Sequence, residues 1–376
     1  MTNFFTRRDF LMGAGAVTAA LSVRDLALSA QVSSTAPASK LAMPGLYRGR
    51  VVEVVHPGSI VDGQYQAEPV MQMMQRGMKE LTGMDWADAW RQFVTPGEVV
   101  GVKLNPVGGK LCCSAPEVVR AIIHGLNAAG IPNKDIVAYD RYRKQFLEVG
   151  FDKWLPEGVR WMWAAEDFEL VQQGIEGYDP DHYMDMALTL PGYDVSNLTA
   201  RRSYAAQFIT KKVDKLINLC LLKDHQSAGI TMALKNLSHG LVNNVNRSHP
   251  TPTMNTCGAF IPAVVSMPVI RNKAVLHIMD GIKGLYHGGP GARPQFVWEQ
   301  KTMWFATDPV AMDRVGWRVL DQKRVSVGMA KLEDAKPDQF STYLHRQTEH
   351  VEIAGALGLG EFALEKIRLR KVTLRA

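Results

Sequence analysis

The stretch Val99-Val100-Gly101-Val102-Lys103-Leu104-Asn105-Pro106, followed by Ser114 to Gly130 and by Ile136-Val137-Ala138-Tyr139-Asp140-Arg141, decides the fold class. Val99 to Val102 is a short β-branched run that ends in polar residues, the pattern of a strand buried on both faces. Ser114-x-x-Glu117 with Pro116 has the form of a capping box. Val118, Val119, Ile122, Ile123 and Leu126 then repeat at helical spacing up to Gly130. Ile136 to Tyr139 is the next strand. One βαβ unit results, and its right-handed crossover brings Lys103, Asn105, Asp140 and Arg141 to the same sheet edge.

Working outward, the alternation resumes after residue 202. Val213 to Leu219, Ala274 to Met279 and Thr302 to Thr307 read as strands, and Gly229 to Leu241 and Pro309 to Leu320 as helices. Lys366 to Arg375 alternates basic with apolar residues, as an edge strand does. The expected fold is α/β, with two lobes on mainly parallel sheets and a cleft at the C-terminal ends of the strands. Its expected divisions are a leader over 1–30, a linker over 31–44, a first lobe over 45–200 and a second over 203–376. A segment near 154–202, rich in Trp, Tyr, Met and Asp without a clear period, reads as an insertion or lid.

At the amino terminus, Thr6-Arg7-Arg8-Asp9-Phe10-Leu11 precedes a small, apolar run from Met12 to Leu21, with small residues at Ser29-Ala30 to cleave after. These are the features of a twin-arginine signal. The expected partner is the twin-arginine translocase and the expected location periplasmic or extracellular, with cleavage or retention as an anchor both open. The run is half the roughly twenty residues that span a bilayer, and no second apolar run approaches that length, so no transmembrane span is expected in the mature chain. The net charge of +6, from 43 basic and 37 acidic residues, is spread along the chain. Nucleic-acid binding, which needs clustered bases, is not expected. Cys112 and Cys113 are adjacent while Cys220 and Cys257 stand alone, which matches neither a disulfide scaffold nor local metal-site spacing.

The chemistry concentrates in Leu221-Leu222-Lys223-Asp224-His225-Gln226-Ser227-Ala228-Gly229 and the helix after it. Ile230, Leu234, Leu237 and Leu241 form a core-facing stripe, and Thr231, Lys235 and His239 a second one. That second stripe is either a solvated face or a wall of the crevice beside Lys223 and His225. A histidine can take and return a proton at neutral pH, and a desolvated lysine becomes a nucleophile. His225 and Lys235 are therefore the candidate catalytic pair. Lys103, Asn105, Asp140, Lys223, Asn236, His239, Asp280, Gly281 and Asp313 are candidates for holding a substrate or cofactor.

Other polar positions stay open. Asn243 to His249 either orient an anion or cap turns, and the loop from Gly281 to Gly291 either cradles an anion or is plain loop. Asp308-Pro309 reads foremost as a helix start.

Four blocks together resemble the domain-of-unknown-function family numbered 362. They are Val102 to Pro106, Lys223 to Asn236, Asp280-Gly281-Ile282 with its glycine-rich loop, and Asp308 to Asp313, and the resemblance covers about residues 50 to 320. Some members carry a ferredoxin-like iron-sulfur module, which this sequence lacks. His225-x-x-Ala228-Gly229 with Lys235 is also similar to a block of the lactate racemase family, whose nickel-pincer cofactor is tethered to a lysine. That resemblance implies His225 as general base, Lys235 as point of attachment and His249 as metal ligand, with no counterpart for that family's other histidine, since His124 lies in an apolar helix.

The expected function is a cofactor-assisted enzyme, with nickel-pincer or other metal, doing racemase-like or redox chemistry on a small polar molecule. The alternatives are a non-catalytic periplasmic ligand-binding protein and an iron-sulfur or cysteine-based redox protein using Cys220 and Cys257.

Overall fold

The computed structural model describes residues 38–375, so the expected twin-arginine signal and the start of the expected linker lie outside the described residues. Eight strands form one continuous sheet, joined by a short ninth segment at Gly229–Ile230. In chain order they are β1 (Arg50–Val55), β2 (Val100–Lys103), β3 (Ile136–Tyr139), β4 (Arg160–Met162), β5 (Lys215–His225), β6 (Ala274–Leu285), β7 (Val297–Ala306) and β8 (Arg368–Thr373). Their order across the sheet is β8-β1-β7-β6-β5-β2-β3-β4. Only β7 runs against its neighbours, pairing antiparallel with both β1 and β6; the other pairs along the path are parallel. The α/β class with a mainly parallel sheet thus holds. The segments expected as two lobes meet inside that sheet, where Val100 to Lys103 align with Lys215 to Asn218.

Helices cover both faces because the central strands are apolar on both. Along β5, Leu216, Cys220 and Leu222 enter one core while Ile217 and Leu219 enter the other, the period-two alternation of a pleated strand. Helices α1 (Ala67–Thr82) and α2 (Pro116–Ala128) pack on the second face. On the first lie α3 (Met232–Leu241), α4 (Cys257–Val265) and α5 (Pro309–Ser326).

Boundaries differ from expectation for identifiable reasons. No capping box forms at Ser114: its hydroxyl accepts the Asn105 amide at 2.9 Å, and α2 starts at Pro116 without a side-chain cap. The helix expected from Gly229 starts at Met232, because Gly229 and Ile230 first fold back to pair with His225 and Asp224. Gly229 has φ +77, and a β-carbon there would lie 2.3 Å from Thr348 Cγ2, so glycine is required. The Asp308 start of α5 is as expected, its carboxylate accepting the Ala311 amide at 2.8 Å. In the 154–202 segment, Tyr178–Asp185 pairs antiparallel with Arg202–Ala206 as a separate two-stranded sheet. Lys366 to Arg375 contains the edge strand β8, exposed at Arg368, Arg370 and Lys371.

Candidate active site at the strand ends

The C-terminal ends of β2, β3 and β5 open into a cavity of about 270 Å³. It is lined by Lys103, Asn105, Asp140, Lys223, His225, Lys235, Asn236, His239 and His249, nine of the twelve residues expected from sequence to form a site. The polar stripe of α3 is therefore a wall and not a solvated face: Thr231, Lys235 and His239 all line the cavity, and Lys235 is only 6% exposed. The register explains the convergence. Lys103 and Asp140 end neighbouring parallel strands, and α3 returns across the sheet so that Asn236 reaches back over both.

A web of side-chain bonds fixes the floor. Lys103 Nζ donates to Asp140 Oδ1 at 2.6 Å and to Asn236 Oδ1 at 3.3 Å; Asn105 Nδ2 also donates to Asn236 Oδ1, at 3.0 Å. Asn236 Nδ2 in turn donates to Asn218 Oδ1 at 2.8 Å, and Lys223 Nζ to Asn105 Oδ1 at 3.3 Å. Desolvation pushes the Lys103 ammonium down and the Asp140 carboxylate resists that shift; Lys223 is lowered by burial as well. With Arg141 and Lys235, the lining carries four cationic side chains against one carboxylate, Asp140.

Lys235 differs from the other three cations. Its amine has no hydrogen-bond or ion-pair partner among the described residues, and burial, reinforced by Lys223 and Arg141, pushes it down to about 7. His225 sits close by at the end of β5. Its Nδ1 accepts the Ser227 amide at 3.2 Å, which leaves the ring proton of the neutral form on Nε2. The ring thus offers Nε2–H as a hydrogen-bond donor to the cavity, where the general-base role that the racemase resemblance implies needs a free nitrogen. Burial and the neighbouring lysine hold His225 and His239 neutral, well below the usual imidazole range, and bring His249 down to about 3.

One group among the described residues has metal-ligand spacing. Donor atoms of His239, His249 and Cys257 all lie within 4.8 Å of one another. A tetrahedral zinc site has edges of about 3.4–3.6 Å from its bond lengths, so closing this group on an ion needs about an ångström of movement. Ser248 Oγ lies among them, 3.2 Å from His239 Nε2 and 2.7 Å from His249 Nδ1. Since that hydroxyl donates to the Val245 carbonyl at 2.7 Å, it accepts from the imidazoles. Two imidazoles and a thiol suit a borderline divalent cation of the zinc–nickel class. A four-cysteine cluster is not assembled: Cys220 lies in the sheet, where its thiol donates to the Ile278 carbonyl, and Cys257 faces Ser227 and Ser248.

Three expected residues stand elsewhere. The Asp280 carboxylate, pushed up to about 7 by burial, accepts Tyr65 Oη at 3.2 Å and the Ile282 amide at 3.0 Å, away from the cavity lining. Gly281 is a packing position, where a β-carbon would fall 2.4 Å from Trp304. Asp313 accepts the Ala233 and Leu234 amides at 2.7 and 2.9 Å and so caps the helix that carries Lys235. In the 243–249 run the turn-holding alternative accounts for Asn243, Asn244 and Arg247, which bond backbone groups, while Asn246 and His249 line the cavity. The glycine loop is pinned by the Gly289 amide on Asp224 Oδ1 at 2.8 Å.

Further residues line the cavity that the sequence did not single out for a site: Arg141, Tyr142, Gln145, Phe168 and Gln172. Arg141 Nε, Tyr142 Oη, Gln145 Oε1, Gln172 Nε2 and Thr231 Oγ1 are buried without a partner. Such orphaned polar atoms on one cavity wall fit a ligand that completes them. His124 is exposed on α2 and stacks on Trp86, outside the cavity.

The family model described as "Domain of unknown function (DUF362)" matches residues 100–318, more than half of the 376-residue chain. No curated protein matches the sequence. A crystal structure of a protein from Thermotoga maritima is similar over 59% of this chain at 10% identity, with a TM-score of 0.31, and the match spans about half (51%) of that protein's chain.

Proposed function

Since the chain belongs to the DUF362 family, whose description supplies no chemistry, we propose from the cavity's own residues that the protein is an enzyme that moves a proton on a small anionic molecule. The observation that carries this reading is a buried amine without a partner, Lys235, sharing one hollow with His225, His239 and His249. Arg141 and Lys223 would hold a carboxylate, the commonest small anion that a cluster of cations recognises. The Lys235 amine then takes the proton from the carbon next to that carboxylate, and His225 Nε2–H faces the oxygen on which charge develops. Return of a proton by the Lys235 ammonium to the same face gives exchange with solvent, and delivery of a solvent proton to the other face would complete a racemisation.

A divalent ion held by His239, His249 and Cys257 would polarise that same oxygen as a Lewis acid. The nickel-pincer version, with Lys235 as the point of attachment, predicts an intact mass above that of the sequence. Export also belongs to this reading: Arg7-Arg8 ahead of Met12 to Leu21 would direct the folded chain to the twin-arginine translocase and beyond the inner membrane. Replacing both arginines by lysine should then keep the full-length chain in the cytoplasm; unchanged export would remove the assignment. No helix of the described residues is long and apolar enough to cross a membrane.

The test is proton exchange. A panel of chiral 2-hydroxy carboxylates is incubated with the purified protein in D2O and the proton on C2 followed by NMR. The reading expects exchange with at least one of them, and a loss of about a hundredfold or more in Lys235→Met. Carboxylates that bind without exchanging would make the protein a ligand-binding protein, and absence of binding would overturn the anion site altogether.

A further inference from the structure

The cavity does not end at Phe168. A second hollow of about 610 Å³ lies beside it, and the two share the walls Tyr142, Phe168 and Gln172. Its charge is opposite. Glu166, Asp167, Glu169 and Glu176 line it together with Trp163 and Tyr178, and no lysine or arginine does. Two of the four carboxylates are already answered from outside: Arg143 reaches Glu166 at 3.3 Å and Lys144 reaches Asp167 at 2.7 Å. Glu169 and Glu176 have no hydrogen-bond or ion-pair partner among the described residues.

Exposed acids alone would call for no ligand, since water satisfies them. Two further side chains on the shared wall are buried and keep polar atoms without a protein partner. Tyr142 is 6% and Gln172 5% exposed, and neither Tyr142 Oη nor Gln172 Nε2 has a partner. Gln172 is also held at φ +54, a conformation that non-glycine residues seldom adopt. Its neighbours keep it there: the Asn244 amide donates to its carbonyl at 2.9 Å and the Val245 amide to its Oε1 at 3.2 Å. The side chain is thus fixed with its amide nitrogen left over, between a cationic hollow and an anionic one. The first hollow, lined by Lys103, Arg141, Lys223 and Lys235 against Asp140, demands an anion.

We propose that the ligand is bipolar: a small ω-amino carboxylate whose carboxylate lies in the cationic hollow and whose ammonium lies in the acidic one, passing Tyr142 and Gln172. The inference rests on the reading that the first hollow binds an anion. It adds the other end of the molecule. Trp163 and Tyr142 already carry the guanidinium groups of Arg143 and Arg141 over their rings, at 5.2 and 4.3 Å, so Glu169 and Glu176, and not an aromatic cage, would supply recognition of the ammonium.

Calorimetric titration of the full chain with butyrate, 1-aminobutane, 4-aminobutyrate and 6-aminohexanoate tests this. At low salt one of the two amino acids should bind at least about fivefold tighter than butyrate, and 1-aminobutane weakest. In Glu169→Gln/Glu176→Gln that advantage over butyrate should vanish, while butyrate binding itself reports that the variant is folded. If butyrate binds and neither amino acid exceeds it, or if the advantage survives the double substitution, the bipolar ligand is refuted and the anion site stands. If no carboxylate binds, the anion site itself is refuted.

Discussion

Replacing Gly240 by alanine should destabilise the protein, although in an exposed helix the same change is favourable. Gly240 lies in the last turn of α3 and lines the cavity. A β-carbon there would fall 2.1 Å from Lys103 Cε and 2.8 Å from Lys103 Nζ, with the helix on one side and the sheet on the other. Lys103 is 1% exposed and its ammonium sits 2.6 Å from Asp140, so it cannot swing to solvent and keep its partner. Separating a buried pair leaves an uncompensated charge and costs about 3–5 kcal/mol, while alanine regains about 1 kcal/mol of helix propensity. The net loss is about 2–4 kcal/mol. Urea unfolding under reducing conditions, followed by circular dichroism, measures it as a lower midpoint at unchanged slope. A variant as stable as the parent would show that Lys103 is not clamped between Gly240 and Asp140, and the account of the cavity floor would fail.

Three other outcomes follow from the same geometry. Arg346 Nη1 meets Asp224 Oδ2 at 2.9 Å with both side chains buried, so Arg346→Met should cost about 3–5 kcal/mol, against less than about 1 kcal/mol for Arg370→Met in its exposed pair with Glu80, both read by urea unfolding. The His249 and His277 rings are held down at about 3 by burial, below the unfolded value near 6.5. Their contribution to stability is complete above pH 6.5 and lost as the pH falls towards 3, by up to about 1.4 kcal/mol per unit for each ring. His277→Gln should therefore flatten the acid limb of the stability curve by one proton, and an unchanged limb would contradict its neutral state. Finally, plasma mass spectrometry of the chain purified from its native cell should find a divalent zinc–nickel class metal that Cys257→Ala loses; equal metal content in both forms would remove His239, His249 and Cys257 as the site.

Much of the site was legible because strand ends are legible. Lys103, Asn105, Asp140, Lys223 and His225 each follow a β-branched or apolar run, and a parallel sheet gathers such ends at one edge. The stripe of Lys235 and His239 could be read from its period. Its orientation was settled only by tertiary packing. The same logic misplaced Asp280 and Asp313: a polar residue at a strand or helix end serves a ligand or the backbone equally well, and here Ile282, Ala233 and Leu234 take the carboxylates. Ser114 went astray likewise, its hydroxyl turning to Asn105. Gln172 and Phe168 were hidden in a segment without periodicity, and Cys257 carries no local spacing signal because its partners arrive from α3 and from the loop after it. The division into lobes missed that β2 and β5 are hydrogen-bonded neighbours, a pairing between residues more than a hundred positions apart in the chain.

The claim on which the rest depends is that Lys235 presents a free amine to a hollow that collects anions. Carbamylation by cyanate at pH 7, mapped by peptide mass spectrometry, tests it directly, since cyanate is a small anion and adds only to the unprotonated amine. With an amine at about 7, roughly half of Lys235 is reactive, whereas an ordinary lysine near 10.4 is reactive to about one part in 2,500. Lys235 should be modified well ahead of exposed lysines such as Lys79, and a small carboxylate should protect it. Modification no faster than at Lys79, or without protection, would contradict the account.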